Sequence, residues 1–169
     1  EQMPAELDSL LTFTLDLLQE PRALHGAALL PDGKILFVGG GEGSEIFDPD
    51  SGSSVFVETP FELRGGETTT VLRDGRVLVA GGVNANGLAT STAMVFDPGT
   101  RRWTSTGSMK EPRTFHAAAL LPDGRVLITG GAKDPGELAT DRSIDSSEMF
   151  DPVAGRFSDG PAVPPLFAH

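Results

Sequence analysis

Apolar and polar positions along the chain form a pattern that occurs three times. Two short apolar runs flank an Asp-Gly pair and end in a glycine doublet, in "HGAALLPDGKILFVGG", "ETTTVLRDGRVLVAGG" and "HAAALLPDGRVLITGG". Because glycine accepts the positive φ of a tight hairpin turn, each stretch predicts two antiparallel strands. The doublets recur after 42 and then 49 residues, a spacing typical of repeat architectures such as propellers.

A third landmark follows each doublet and completes a four-stranded unit. "IFDP", "VFDP" and "MFDP" predict a third strand, and the bulky residues Phe56, Trp103 and Phe157 mark a fourth. We name the strands A to D; in the third repeat they are expected at 116–121, 125–129, 147–150 and 156–163. The A and B strands are apolar without alternation, which predicts burial on both faces, whereas the polar D strands suit an outer edge. The pattern therefore predicts an all-β propeller made of four-stranded blades.

The repeats predict a single propeller segment whose ring is incomplete in this chain. Residues 23–64, 65–113 and 114–166 are expected to form three blades, and residues 13–22 the orphan D strand of a preceding or closing blade. Residues 167–169 are expected to begin a next blade. Three blades alone would leave two apolar faces in water, at a cost of about 25 cal/mol per Å². We therefore expect further blades, from the same chain or from another copy.

The glycine doublet, the Phe-Asp-Pro motif and the following aromatic residue resemble the kelch repeat. The "LPDGR" stretch is similar to bacterial kelch proteins and to the central domain of galactose oxidase. Phe47, Phe96 and Phe150 stand where many kelch repeats carry tyrosine. The resemblance implies that the A strands line a central channel, that the D strands lie at the rim, and that ligands bind at the D–A and B–C loops.

This resemblance implies a binding module that presents those loops to a protein, peptide or glycan ligand. One alternative is the scaffold part of a carbohydrate-active enzyme, galactose oxidase-like or sialic-acid-epimerase-like, whose site is completed outside this chain. Another is a structural spacer in a larger protein. The copper-radical chemistry of galactose oxidase depends on Tyr and Cys, and this chain has neither. The sequence assigns no catalytic residue, no cofactor and no metal ligand.

Composition narrows the class of partner. The chain has 169 residues and a net charge of −11, which argues against nucleic acid and anionic membranes, because both attract basic surfaces. No stretch is long and apolar enough to span a bilayer. The absence of cysteine excludes disulfides and thiolate chemistry. The resemblance to kelch proteins favours a secreted or cell-surface bacterial protein.

Six recurring polar residues are the candidate ligand-binding groups. Three arginines each precede a His or Glu by three residues at the start of a repeat: Arg22 with His25, Arg64 with Glu67, and Arg113 with His116. The forked donors of arginine suit a carboxylate, so we expect an acidic ligand; the alternative is pairing with carboxylates between blades. His, Glu and His at equivalent positions predict a polar ring at the channel mouth. The alternative is that each side chain bonds to the backbone of a neighbouring blade.

The B–C loops differ most between repeats. The third, Ala132–Asp145, is long for a compact domain, and such loops are typically functional or mobile. Its acidic candidates Asp134, Glu137, Asp141 and Asp145 match no common Ca²⁺-binding spacing. The glycine doublets are expected to serve close backbone packing rather than phosphate binding, because no helix follows them.

Overall fold

The computed structural model describes residues 22–41, 43–137 and 144–162. Its twelve strands form three four-stranded antiparallel sheets, each with its strands in chain order. The first sheet holds β1 (Gly26–Leu29), β2 (Ile35–Val38), β3 (Ser44–Asp48) and β4 (Ser53–Val57). The second holds β5 (Glu67–Val71), β6 (Val77–Gly81), β7 (Ala93–Asp97) and β8 (Arg102–Ser105). The third holds β9 (Ala117–Leu120), β10 (Val126–Thr129), β11 (Ser147–Asp151) and β12 (Arg156–Asp159).

The three sheets are arranged as adjacent propeller blades. The A strands contact one another in sequence, β1 against β5 and β5 against β9. Each sheet then runs outward through its B, C and D strands. The prediction of an all-β propeller with four-stranded blades is therefore confirmed. Among the residues that the structure describes, none forms a helix of the length and hydrophobicity that a membrane crossing needs.

The strand bounds of the third repeat agree with the sequence except at the end of D. Strand β12 ends at Asp159 rather than at residue 163, because Gly160 bonds back to Ser147 and Pro161 has no N–H to donate. Residues 13–21 and 163–169 lie outside the described residues. The orphan D strand and the start of a further blade therefore stay predictions.

The hydrophobic core consists of two clusters, one at each blade–blade interface. The middle blade contributes alternate residues of β6 to each cluster: Val77 and Val79 to the first, Leu78 and Ala80 to the second. All five residues of β6 are buried. In β2 and β10 only alternate residues are buried, because each of these strands has one described neighbouring blade. The prediction of burial on both faces therefore holds for β6, the B strand that has a described blade on each side.

The A strands are less buried than predicted, and this includes the middle blade, where β5 has one buried and four half-buried residues. Three of the four residues of β9 are exposed and one is half-buried, and Leu29 in β1 is 66% exposed. The physical reason is position: the innermost strand of a blade pairs with the B strand on one side and borders the channel on the other. Small apolar side chains are tolerated there without full burial.

The aromatic residue of the first repeat does not occupy the position of the other two. Trp103 and Phe157 pair with Phe96 and Phe150 of the neighbouring strand, and the ring centroids lie 4.9 and 5.0 Å apart. In the first blade the residue opposite Phe47 is Ser54, whereas Phe56 lies opposite Glu45. The C–D turn has the same length in all three repeats, so Phe56 lies two residues further along its own strand, β4. It is 44% exposed.

Candidate functional site

The loops before each A strand and after each glycine doublet lie together at one end of the blades, which we call the loop face. Isolated bridges between Leu63 and Asn84 and between Thr114 and Ala132 tie these D–A and B–C loops together. The corresponding contact in the first repeat joins the N–H of Ala23 to the carbonyl of Gly40. The candidate residues that the structure describes lie on or next to this face.

Arg22 and Arg113 are buried inside the blades rather than presented to a ligand. Arg113 Nη2 lies 3.0 Å from Glu148 Oε1, and the two side chains are 0% and 4% exposed. Arg113 Nη1 donates to the carbonyls of Gly130 and Ser146. A buried guanidinium is stable only when a carboxylate and carbonyls satisfy it in this way. With the blade bounds given above, Arg113 ends the second blade and Glu148 lies in the third, so this pair matches the alternative of pairing between blades.

The first repeat has the same arrangement. Arg22 Nη2 lies 2.9 Å from Glu45 Oε1, with both side chains fully buried. Its Nη1 donates to the carbonyls of Gly39 and Gly43 at 3.0 Å. The expectation that these two arginines hold an acidic ligand is therefore not supported by their positions.

Arg64 differs because the second repeat lacks the carboxylate. Glu45 lies opposite Phe37 and Glu148 opposite Ile128, and in the second blade the corresponding residue, opposite Val79, is Met94. The side chain of Arg64 is exposed and makes no hydrogen bond or ion pair within the described part of the chain. Of the three candidate arginines, Arg64 is the one that can reach a ligand.

Glu67 and His116 join adjacent blades. Glu67 Oε1 accepts the N–H of Gly26 in the first blade at 3.1 Å. His116 Nε2 is hydrogen-bonded to Thr68 Oγ1 of the second blade, 2.9 Å away. The side chains are 8% and 7% exposed. Glu67 therefore bonds to the backbone of a neighbouring blade as the alternative interpretation proposed, and His116 bonds to a side chain there.

Burial shifts the ionisation of both groups. It raises the pKa of the Glu67 carboxyl, because an ionised carboxylate loses its hydration there. Burial, followed by the positive charge of Arg113, lowers the pKa of His116 to about 4. His116 is therefore neutral at pH 7. Glu67 Oε2 and His116 Nδ1 have no hydrogen-bond partner.

The polar ring expected at the channel mouth does not converge. His25 is exposed and packs edge-on against Phe37, with ring centroids 5.4 Å apart. Within residues 22–41, 43–137 and 144–162, no three His, Asp or Glu side chains lie close enough to hold a metal ion together.

The first glycine of the first two doublets receives the next blade. A Cβ at Gly39 would lie 2.2 Å from Glu67 Oε1, and one at Gly81 would lie 2.5 Å from His116 Cε1 and 2.4 Å from the Arg113 carbonyl. At the equivalent Gly130, no described residue lies within 4 Å of such a Cβ. The first two doublets therefore serve close packing between blades, in accordance with the scaffold interpretation.

Left-handed residues join the D–A loops from blade to blade. Leu24, Gly66 and Phe115 hold equivalent positions, with φ of 58°, 74° and 54°. Gly66 N–H donates to the Leu24 carbonyl at 3.1 Å, and Phe115 N–H donates to the Gly66 carbonyl at 2.8 Å. Leu24 is 66% exposed and Phe115 is 37% exposed. The backbone thus holds two apolar side chains outward at a conformation that is unfavourable for L-residues.

A groove of about 990 Å³ opens on the loop face of the first blade, bordered by the D–A loop that leads to the second blade. Its lining combines apolar and charged side chains: Leu24, Phe56, Phe61, Glu58, Glu62 and Arg64. All three charged residues are exposed. The ring of Phe61 also meets that of Trp103 edge-on, with centroids 5.5 Å apart. The single tryptophan of the chain therefore contacts a residue that lines the groove.

Of the four acidic candidates of the third B–C loop, the structure describes the side chains of Asp134 and Asp145. Asp134 Oδ1 accepts the N–H of Gly136 at 2.9 Å, next to a 3₁₀ turn at Pro135–Glu137. Asp145 is exposed. Asp141 lies outside the described residues. Asp134 thus acts as a turn cap.

The fold is that of a β-propeller, and its second repeat matches the kelch motif. The family model of the kelch motif matches residues 64–110, which include the whole second sheet. Among solved structures, the chain is similar to the "Structure of YjhT", with a TM-score of 0.69 and 19% sequence identity over 86% of this chain and 53% of that chain. The chain thus spans about half the length of YjhT. No curated protein matches the sequence.

Sequence reasoning missed the residues that decide which arginine is free. Glu45, Glu148 and Met94 stand two residues before the Phe-Asp-Pro motif in "SEIFDP", "SEMFDP" and "AMVFDP". The replacement of glutamate by methionine in the second repeat was visible in the sequence. Leu24 was also missed, because only the backbone shows its positive φ.

Proposed function

We propose that this chain is an interaction module whose loop face binds a segment of a partner protein in the groove on the first blade. The kelch architecture supports an interaction or scaffold module in general. The observation that carries the proposal is the groove itself. Its size is that of a ligand site, and its lining exposes Leu24 and Phe56 at 66% and 44%.

The lining favours a peptide over a neutral glycan. Glu58, Glu62 and Arg64 are exposed and form no ion pair within the described residues. A neutral sugar offers no charge to these groups, whereas a peptide offers charged side chains, apolar side chains and backbone carbonyls. The enzyme alternative would need titratable groups open to substrate. Glu67 and His116, the buried groups whose pKa values are shifted by desolvation, are instead used between blades.

Peptides selected from a random display library on the 169-residue chain test the proposal. Binding is followed by the fluorescence of Trp103, the only tryptophan in a chain without tyrosine. Leu24→Gly removes an exposed apolar side chain from the groove at φ 58°, a conformation that glycine adopts without strain. We expect affinity to fall at least about fivefold, because part of a leucine contact is lost.

Phe115→Gly is the matched control. It makes the same kind of change at the equivalent position of the third blade, at φ 54° and outside the groove lining. We expect no loss of affinity. Equal binding by both variants would show that the groove is not the site. Selection of glycans but no peptides, with binding weakened by Leu24→Gly, would support the carbohydrate-directed alternative instead.

A further inference from the structure

The loop face carries negative charge that the protein itself leaves uncompensated. Its two lysines are engaged: Lys110 lies 3.2 Å from Asp159 and Lys133 lies 2.8 Å from Glu111. Arg22 and Arg113 are buried with their own carboxylates. Among the described residues, Glu58, Glu62 and Asp145 therefore remain exposed on this face without an ion pair. The one exposed guanidinium of opposite charge on this face, among the described residues, is that of Arg64.

The opposite end of the blades has no such excess. The A–B turns pair their charges locally, in Asp74 with Arg76 at 2.8 Å and Asp123 with Arg125 at 2.7 Å. Lys34 reaches Asp48 at 2.7 Å in the first blade. Among the described residues, the uncompensated negative charge thus lies at the loop face. An approaching cation is attracted to the loop face.

From this asymmetry we infer that the groove takes a cationic segment of a partner protein, one that carries Lys or Arg around an apolar side chain. The inference rests on the proposed function and names the chemistry of its ligand. Glu58 and Glu62 line the groove and receive the basic side chains. Leu24 and Phe56 receive the apolar one. Arg64 donates to a backbone carbonyl of the segment, as a single guanidinium beside two carboxylates.

The acidic ligand expected from the three recurring arginines is replaced by this inference. Two of those guanidinium groups are buried, so an acidic segment would meet one arginine and two carboxylates. Charge complementarity across an interface chiefly sets specificity and the rate of association. The groove therefore discriminates against an acidic segment by repulsion as well as favouring a basic one by attraction.

Two synthetic peptides of equal length and equal apolar content test the inference, one rich in lysine and one rich in glutamate, neither containing Trp or Tyr. Each is titrated into the 169-residue chain while Trp103 fluorescence is recorded. We expect the lysine-rich peptide to bind more tightly, and its affinity to fall with added salt. The double variant E58Q/E62Q is expected to weaken it roughly five- to tenfold, since each exposed charge pair contributes modestly.

Asp50→Asn is the matched control, because it removes an exposed carboxylate from the C–D turn at the opposite end. It is expected to leave affinity unchanged within about twofold. Tighter binding of the glutamate-rich peptide, weakened by Leu24→Gly, would overturn the inference and leave the proposed function standing. Binding of either peptide that neither Leu24→Gly nor E58Q/E62Q changes would overturn both.

Discussion

Gly81 provides a test of the packing between blades, because the chain contains its own control. A Cβ at Gly81 would lie 2.4 Å from the Arg113 carbonyl and 2.5 Å from His116 Cε1. At the equivalent Gly130, no residue of the described part of the chain lies within 4 Å of such a Cβ. The two residues have nearly the same left-handed backbone, with φ of 66° and 72°. Gly81→Ala and Gly130→Ala therefore share the conformational cost and differ in the steric one.

The magnitudes follow from these two terms. A left-handed L-residue costs roughly 1–2 kcal/mol, and this applies to both variants. Overpacking costs typically about 1–3 kcal/mol more, and this applies to Gly81→Ala alone, because a backbone carbonyl cannot move aside as a flexible side chain can. We expect the free energy of unfolding to fall by about 2–5 kcal/mol for Gly81→Ala and by about 1–2 kcal/mol for Gly130→Ala.

Urea unfolding, followed in parallel by Trp103 fluorescence and circular dichroism, measures the difference. Coincident transitions establish two-state behaviour, and an unchanged dependence on urea shows that the change lies in stability rather than compactness. If both variants lose the same stability, the doublet is needed only for its backbone angle. The inferred contact between Gly81 and the next blade would then be wrong.

Two further predictions concern the buried charges. Glu148→Gln leaves the Arg113 guanidinium buried without its carboxylate and is expected to cost about 3–5 kcal/mol in urea unfolding; the double variant R113L/E148M, which copies the methionine of the second repeat, should recover most of that loss. His116 has a pKa of about 4 in the folded state against 6.5 ordinarily, so the unfolded chain binds its proton first as pH falls. Stability should decrease by about 3 kcal/mol from pH 6.5 to 4, measured as the difference between wild type and His116→Gln; identical profiles would contradict this.

The fold was predictable from the sequence because its determinants are local. Each Asp-Gly pair makes one turn and each apolar run makes one strand, so the repeat appears directly in the residues. The misplaced Phe56 shows the limit of this reasoning. Its repeat has two additional residues between Phe47 and the aromatic position, and spacing alone does not show whether a turn lengthens or a strand shifts. The pairing of Ser54 with Phe47 settles that question.

The candidate site was less predictable because its contacts are distant in sequence. Arg113 and its carboxylate partner are 35 residues apart, and Arg22 and its partner 23. The burial of both pairs depends on how the strands register across a blade. The short spacing between each arginine and the following His or Glu identified the arginines in the sequence. Their carboxylate partners are identified only by the register of the strands.

In a repeat protein, a recurring residue can be assigned to the scaffold or to a binding site only when the residue that it pairs with is compared between the repeats as well. Arginine recurs in all three repeats, which by itself suggests one shared role. The opposing carboxylate recurs in two, and where Met94 replaces it no buried charge remains to hold the arginine inside. Burying an unpaired guanidinium would cost several kcal/mol, so Arg64 must remain in solvent. Because Met94 replaces the glutamate on the C strand, the guanidinium of Arg64 on the D–A loop is exposed in the groove.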